Sequence, residues 1–208
     1  MPSILIIEDE KIIAEDIKWT LVNFGYDVIG TVSEGKKIVP TVKKLKPDLV
    51  LMDIKLGNRF EGIDAAKDVK DETGLPVVFL TAYSDNDTIN KVLDSAAYGY
   101  LLKPYNDKEL KAVIEMALYR HKMETAIKGS EKKYRSLVEN LQEGIILLDY
   151  DGKILFANPK IAEIFEQNLE SMLDKSFFNY LKDNRLNEYT LFKSIDRRMD
   201  IRLKKKMR

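Results

Sequence analysis

Short apolar runs at 4–7, 28–32, 49–52, 77–80 and 98–102 alternate with longer stretches in which apolar residues recur every three or four positions. Unbroken runs of this length predict strands buried on both faces. The periodic stretches, at about 10–24, 35–46, 62–72, 86–96 and 106–121, predict amphipathic helices. Gly25 is placed to end the first helix, and Pro47 and Pro76 stop helices just ahead of the next strand. Five such strand–helix units predict an α/β fold, a doubly wound five-stranded parallel sheet.

The last of these helices carries two stripes. Leu110, Val113, Ile114 and Ala117 have the spacing of a face packed on the sheet. Met116, Tyr119, Met123 and Ala126 form a second stripe, which either widens the core face or meets a partner helix. Gly129-Ser130 is the expected break. Beyond it the texture changes: Tyr134 to Leu141 predicts a short helix, and 144–148 and 153–157 predict two strands joined at Tyr150-Asp151-Gly152. Asn158-Pro159 predicts a helix start with Asn158 as the N-cap. Short helices follow to Tyr180, and Met199, Ile201 and Leu203 alternate with polar residues as in a strand.

Composition narrows the function classes. The 208 residues are 45% hydrophobic and 33% charged, which fits a protein with a real core. Lys+Arg and Asp+Glu are both 34, so no overall basic footprint for nucleic acid exists. Up to Arg120 the chain has 20 acids against 16 bases, and the remainder has 14 against 18. The absence of cysteine removes disulfides, thiolate nucleophiles and cysteine-bound metals. No run approaches the roughly 18 apolar residues of a membrane span. With no leader evident at Met1-Pro2-Ser3, the expected location is cytoplasmic, with no membrane partner.

The chemistry lies at the strand ends. Glu8-Asp9 follow the first strand, Asp53 ends the third, Thr81-Ala82 follow the fourth and Lys103-Pro104 the fifth. In an open parallel sheet these C-terminal ends share one edge, where ligands bind. A carboxylate there can attack an activated phosphoryl group, given a divalent cation to screen the two anions and a lysine to hold the phosphoryl oxygens. Glu8, Asp9 and Asp53 supply oxygens suited to Mg²⁺. Lys103 supplies the fixed positive charge, Thr81 a hydroxyl, and small Ala82 leaves room.

These stretches, Ile6-Ile7-Glu8-Asp9-Glu10, Leu51-Met52-Asp53-Ile54, Leu80-Thr81-Ala82 and Gly99-Tyr100-Leu101-Leu102-Lys103-Pro104, resemble the receiver domain of response regulators, a flavodoxin-like fold. The resemblance covers residues 2–121. It implies that Asp53 accepts a phosphoryl group from a sensor histidine kinase or a phosphotransfer protein. It implies Mg²⁺ on Glu8, Asp9, Asp53 and the backbone carbonyl of Lys55, with Thr81 and Lys103 on the phosphoryl oxygens. Tyr100 would change rotamer as Thr81 moves. The loop 54–62 departs from the family by lacking a Met-Pro-Gly run; Gly57 and Gly62 keep it flexible, and Lys55 adds a cation.

Tyr134-Arg135-Ser136-Leu137, Glu143-Gly144-Ile145, Asp151-Gly152-Lys153-Ile154 and Phe156-Ala157-Asn158-Pro159 resemble the start of a PAS domain. The expected organisation is a receiver over 1–121, a helical linker over 122–133 and a smaller α+β PAS-like module over 134–208, shorter than a whole PAS domain. The module lacks the cysteine of a flavin adduct and the histidine of a ligated haem, so neither haem nor flavin is expected; a hydrophobic small ligand stays open beside a structural or dimerising role. The lone histidine, His121, is expected to be exposed near a helix end. The chain therefore reads as a two-component response regulator rather than an enzyme, signalling through protein–protein contacts. A homodimer through the last receiver helix and linker is expected, with readout on a face holding Ile89, Lys91, Val92 and Lys111. A Mg²⁺-dependent phosphatase or hydrolase using Asp53 is the alternative.

Overall fold

A computed structural model describes residues 1–56, 61–82, 97–180, 189–195 and 199–205, with only the backbone described for Glu61 and for 189–195 and 199–205. The helix expected at 86–96, with Ile89, Lys91 and Val92, lies outside the described residues, as does the loop 57–60 with Gly57. The chain divides into two compact units, Met1–Ala126 and Ile127–Arg208.

The order through the first unit is β1 (Ser3–Ile7), α1 (Lys11–Asn23), β2 (Asp27–Val32), α2 (Gly35–Leu45), β3 (Leu49–Asp53), α3 (Glu61–Thr73), β4 (Val77–Thr81), β5 (Gly99–Leu102) and α4 (Asp107–Glu139), whose residues from Ile127 onward belong to the second unit. All neighbouring strands are parallel, in the order β2-β1-β3-β4-β5. This is the doubly wound flavodoxin-like arrangement expected from the sequence. Alternate residues of one strand serve two cores. Leu5, Ile7, Val50, Met52, Val77 and Phe79 pack with Ile38 and Val42 of α2 and Ala66 and Val69 of α3. Ile4, Ile6, Leu49, Leu51, Val78 and Leu80 pack with Ile17 and Leu21 of α1 and Leu110, Ile114 and Ala117 of α4. That two-sided burial is why the strands read as unbroken apolar runs.

Local signals set the helix ends. Gly25 has φ of 85°, and its N–H donates to the Val22 carbonyl, ending α1. Asn106 and Glu109 form a reciprocal capping box at the start of α4: Asn106 Oδ1 accepts from the Glu109 N–H and Glu109 Oε2 from the Asn106 N–H, both at 3.0 Å. The expected break at Gly129-Ser130 does not occur, and the separate helix expected at 134–141 is the end of α4 itself. A mid-helix glycine costs only about 1 kcal/mol, too little to stop a helix by itself. Met116 and Tyr119 do not widen the core face; they are 71% and 66% exposed.

The second unit contains β6 (Gly144–Leu148), β7 (Ile154–Ala157), α5 (Pro159–Phe165), α6 (Leu169–Met172), β8 (Tyr189–Ile195) and β9 (Met199–Lys205). The strands make an antiparallel sheet in the order β7-β6-β9-β8. Sequence pattern anticipated β6, β7 and β9 but not β8. Ile146, Leu148, Ile154, Ile161, Phe165 and Phe177 are among its core residues. Asn158 precedes α5, but its side chain does not cap the helix. Fully buried, it accepts from the Ile145 N–H at 2.9 Å and donates to the carbonyls of Val138 and Glu143 at 3.0 and 2.9 Å.

Candidate functional site

Parallel strand order brings the ends of β1, β3, β4 and β5 to one edge. Lys103 is the centre of what gathers there. Its Nζ donates to Asp53 Oδ2 at 2.6 Å and to Glu8 Oε2 at 2.9 Å, joining residues 50 and 95 positions away in sequence. Its own N–H donates to the Thr81 carbonyl at 2.7 Å, which fixes the end of β5 against β4. The Lys103–Pro104 peptide is cis.

Each carboxylate is held by backbone as well. Asp53 Oδ1 accepts from the Lys55 N–H at 3.0 Å, so the turn after β3 orients the side chain. Glu8 Oε1 accepts from the Glu10 N–H at 3.2 Å. Glu8 is 2% exposed and Thr81 equally buried, while Asp53 keeps access to solvent. Asp9 is half-buried beside Glu8, and Tyr100 is 39% exposed.

Burial and charge act against one another here. Burial pulls the Lys103 ammonium down, but Asp53 and Glu8 outweigh it and hold the ammonium above its ordinary range. Burial pushes the Glu8 carboxyl up and the Asp53 charge adds to this, against the pull of Lys103. One lysine thus faces two carboxylates, with Asp9 next in the chain, leaving net negative charge. That balance suits a divalent cation with oxygen ligands. Among the described residues, however, no three acidic or histidine side chains converge in metal-holding geometry. Glu8 and Asp53 meet at Lys103 instead.

Sequence pattern missed three features. Gly62, at the start of α3, lies where a Cβ would come within 2.2 Å of the Asp53 carbonyl oxygen and 2.8 Å of that of Ile54. The need there is close approach to the end of β3 at Asp53, not the flexibility that the sequence suggests. Tyr105 is half-buried against the α1–α4 core, and burial pushes its phenol up, with the Lys103 charge opposing. His121 does not stand exposed near a helix end: it is mid-helix and half-buried, with Nδ1 3.3 Å from the Tyr98 hydroxyl. A histidine one turn past the last core residue was its only sequence signal.

A flavodoxin-like sheet with acids at two strand ends, a buried threonine at a third and a lysine bridging the acids from a fourth defines the receiver class. The response regulator receiver domain model matches residues 4–115, and the chain belongs to that family. The PAS fold model matches residues 132–205. The transcriptional regulatory protein PdtaR of Mycobacterium tuberculosis is 38% identical over 126 residues, 61% of each chain. The DNA-binding response regulator MtrA of Mycolicibacterium smegmatis is 34% identical over 123 residues, 59% of this chain and 53% of that protein. The chain therefore spans less than two thirds of these relatives. Among solved structures, the receiver domain of a modulated diguanylate cyclase from Desulfovibrio desulfuricans G20 is 33% identical with a TM-score of 0.56, covering 60% of this chain and 98% of that one. The N-terminal domain of a response regulator/sensory box/GGDEF three-domain protein from Carboxydothermus hydrogenoformans is 36% identical with a TM-score of 0.54, covering 59% and 98%. The chain thus carries a response regulator receiver domain followed by a PAS fold, and the relatives it matches are named as regulatory proteins. No helix among the described residues is long and apolar enough to cross a membrane.

Proposed function

We propose that Asp53 is the phosphoacceptor and that a sensor histidine kinase or phosphotransfer protein is the donor. The observation that carries this is the Lys103 ammonium, shared between Asp53 at 2.6 Å and Glu8 at 2.9 Å on the ligand edge of the sheet. An Asp53 carboxylate oxygen bonds to phosphorus as the bond from phosphorus to the donor histidine nitrogen breaks, and the imidazole leaves with the electron pair. Receiver domains bind Mg²⁺ at such an acidic pocket, and when bound the ion screens the repulsion between carboxylate and phosphoryl. Glu8, Asp9, Asp53 and the Lys55 carbonyl would hold it. Lys103, released from one carboxylate, and the Thr81 hydroxyl bind the phosphoryl oxygens. Tyr100, exposed beforehand, follows Thr81 inward.

Residues 1–121 form the receiver in this reading, 122–133 the linker, and 134–208 a PAS-like module that relays the signal by protein–protein contact. The exposed Met116, Tyr119 and Met123 on α4 support a homodimer through the last receiver helix. The test is intact mass after incubation with acetyl phosphate and Mg²⁺. One phosphate is expected on the wild type and none on Asp53→Asn. An equal gain on the variant refutes the assignment, and repeated release of inorganic phosphate from a phosphate ester favours the hydrolase.

A further inference from the structure

Past Ala117, the last fully buried residue of α4, polar contacts join those of the half-buried Leu118 in tying the helix to the receiver. The Tyr98 hydroxyl donates to Glu124 Oε2 at 2.6 Å. Arg120 Nε donates to Glu124 Oε1 at 2.9 Å, and its guanidinium lies 5.1 Å from the Tyr98 ring centroid. The His121 ring meets Tyr98 edge-on at 5.6 Å. The Tyr98 oxygen, whose O–H donates to Glu124, also lies 3.3 Å from His121 Nδ1.

The strand β5 runs from this cluster to the site. Tyr98 directly precedes it, with its N–H on the Val77 carbonyl at 2.9 Å; Lys103 directly follows, with its N–H on the Thr81 carbonyl at 2.7 Å. The two ends are roughly 17 Å apart at the ordinary rise of a strand. Among the described residues β5 is the edge strand of its sheet and pairs with β4 alone, so it has one ladder to hold it. It also packs closely on α4, since a Cβ at Gly99 would come within 3.1 Å of Val113 Cγ1. Tyr98 and Leu101 join the α1–α4 core, whereas Tyr100 and Leu102 are the exposed residues of the strand.

We propose that Tyr98 and Glu124 form a latch through which β5 couples the ionic state of Asp53 and Lys103 to the hold on α4 beyond Ala117. It is a second route along β5, separate from Thr81 and Tyr100. The trigger rests on the reading of Asp53 as phosphoacceptor; the latch itself does not. A change at Lys103 shifts the end of β5, and the Tyr98 end then gains or loses its bond to Glu124. Tyr98 and Glu124 are positioning residues, acting on the helix and not on the phosphoryl group. A coupling of this kind must appear as non-additivity between its two ends.

The experiment is amide hydrogen exchange over 118–126 in the full chain, for the wild type, Tyr98→Phe, Lys103→Met and the double variant. Tyr98→Phe is expected to speed exchange there by on the order of tenfold, leaving 107–116 unchanged. Lys103→Met is expected to change the rate in the wild type and to add nothing in the Tyr98→Phe background. Glu124→Ala, which removes the acceptor, should reproduce Tyr98→Phe and guards against a folding defect in either. Unaltered exchange in both Tyr98→Phe and Glu124→Ala overturns the latch, and an undiminished Lys103→Met effect in the double variant overturns the coupling. Intact mass with acetyl phosphate and Mg²⁺, run in parallel, reads Asp53 separately. Failure of Asp53 to gain phosphate removes the trigger, while the double-variant cycle still decides the latch. Where both proteins gain phosphate, the wild type should change its exchange over 118–126 and Tyr98→Phe should not.

Discussion

Replacing Gly62 by alanine tests how tightly α3 is pressed against the end of β3 at Asp53. The new Cβ would lie 2.2 Å from the Asp53 oxygen, 2.8 Å from the Ile54 oxygen and 3.0 Å from Ile54 Cα. All three are backbone atoms, so no side chain can swing away. The two segments are already joined by the Gly62 N–H on the Ile54 carbonyl at 3.1 Å. An ordinary carbon–oxygen contact is about 3.3 Å or more, so the segments must part by about 1 Å. Overpacking of this size costs up to about 3 kcal/mol. Alanine returns about 1 kcal/mol through helix propensity. The net loss is about 2 kcal/mol, or roughly 8 °C in the receiver's Tm at about 4 °C per kcal/mol. A displacement of about 1 Å at Asp53 should also slow phosphoryl uptake by up to about 100-fold. Gly129→Ala is the matched control: it makes the same change inside α4 with nothing within 4 Å. It should stabilise by about 1 kcal/mol. Calorimetry and intact mass read the two effects. A Gly62→Ala protein that melts at or above the wild type and takes phosphate at the same rate would show that the close approach is wrong.

Asn158→Ala removes three hydrogen bonds from a fully buried side chain and should cost the second unit about 3 kcal/mol or more. Asn158→Asp keeps an acceptor but loses both donors, so it should rescue little; a wild-type melting curve for either variant would contradict this. Tyr98 has its phenol pushed up to about 12, first by burial and then by the bond to Glu124. A raised pKa favours the neutral form in the fold, so its stabilisation is complete below the ordinary tyrosine range and is lost as pH rises through about 12. In an alkaline titration followed by phenolate absorbance, one of the ten tyrosines should ionise last, and Tyr98→Phe should remove that component. Completion of the whole signal by about pH 11 would rule it out. Lys103→Ala frees Glu8 and Asp53 of their shared cation, so Mg²⁺ affinity should not fall, while phosphoryl uptake should slow on the order of 100-fold. Loss of Mg²⁺ binding, measured by calorimetry, would mean that Lys103 organises the acids instead of holding the phosphoryl group. Asp9→Asn should weaken Mg²⁺ binding measured by calorimetry, and chelation should stop phosphoryl uptake read by intact mass.

The strands and the acids at their ends were legible in the sequence because each signal is local. Ile4–Ile7 announces a strand buried on both faces, and Glu8-Asp9 follow it within two residues. The same holds for Leu49 to Asp53 and for the Leu110, Ile114 and Ala117 face of α4. Parallel order then follows from the helices between the strands, so convergence on one edge could be inferred before any coordinate was known.

Side-chain partners far apart in sequence required the fold. Lys103 chose Glu8 and Asp53 across 95 and 50 residues, and Tyr98 chose Glu124 across 26. Nothing within a few positions of His121 marks it as the neighbour of Tyr98. Asn158 has the local signature of an N-cap, yet bonding to Ile145, Val138 and Glu143 displaced that role. Gly129-Ser130 has the signature of a break, but one glycine is a small cost inside a helix of 33 residues. Gly62 is legible as a glycine in a loop region, and only the approach of α3 to the Asp53 carbonyl gives the reason. Periodicity and capping are set by neighbours along the chain, so sequence determined the elements and the site's edge. Which atoms touch across that edge depends on how the elements pack, and only the tertiary structure decided it.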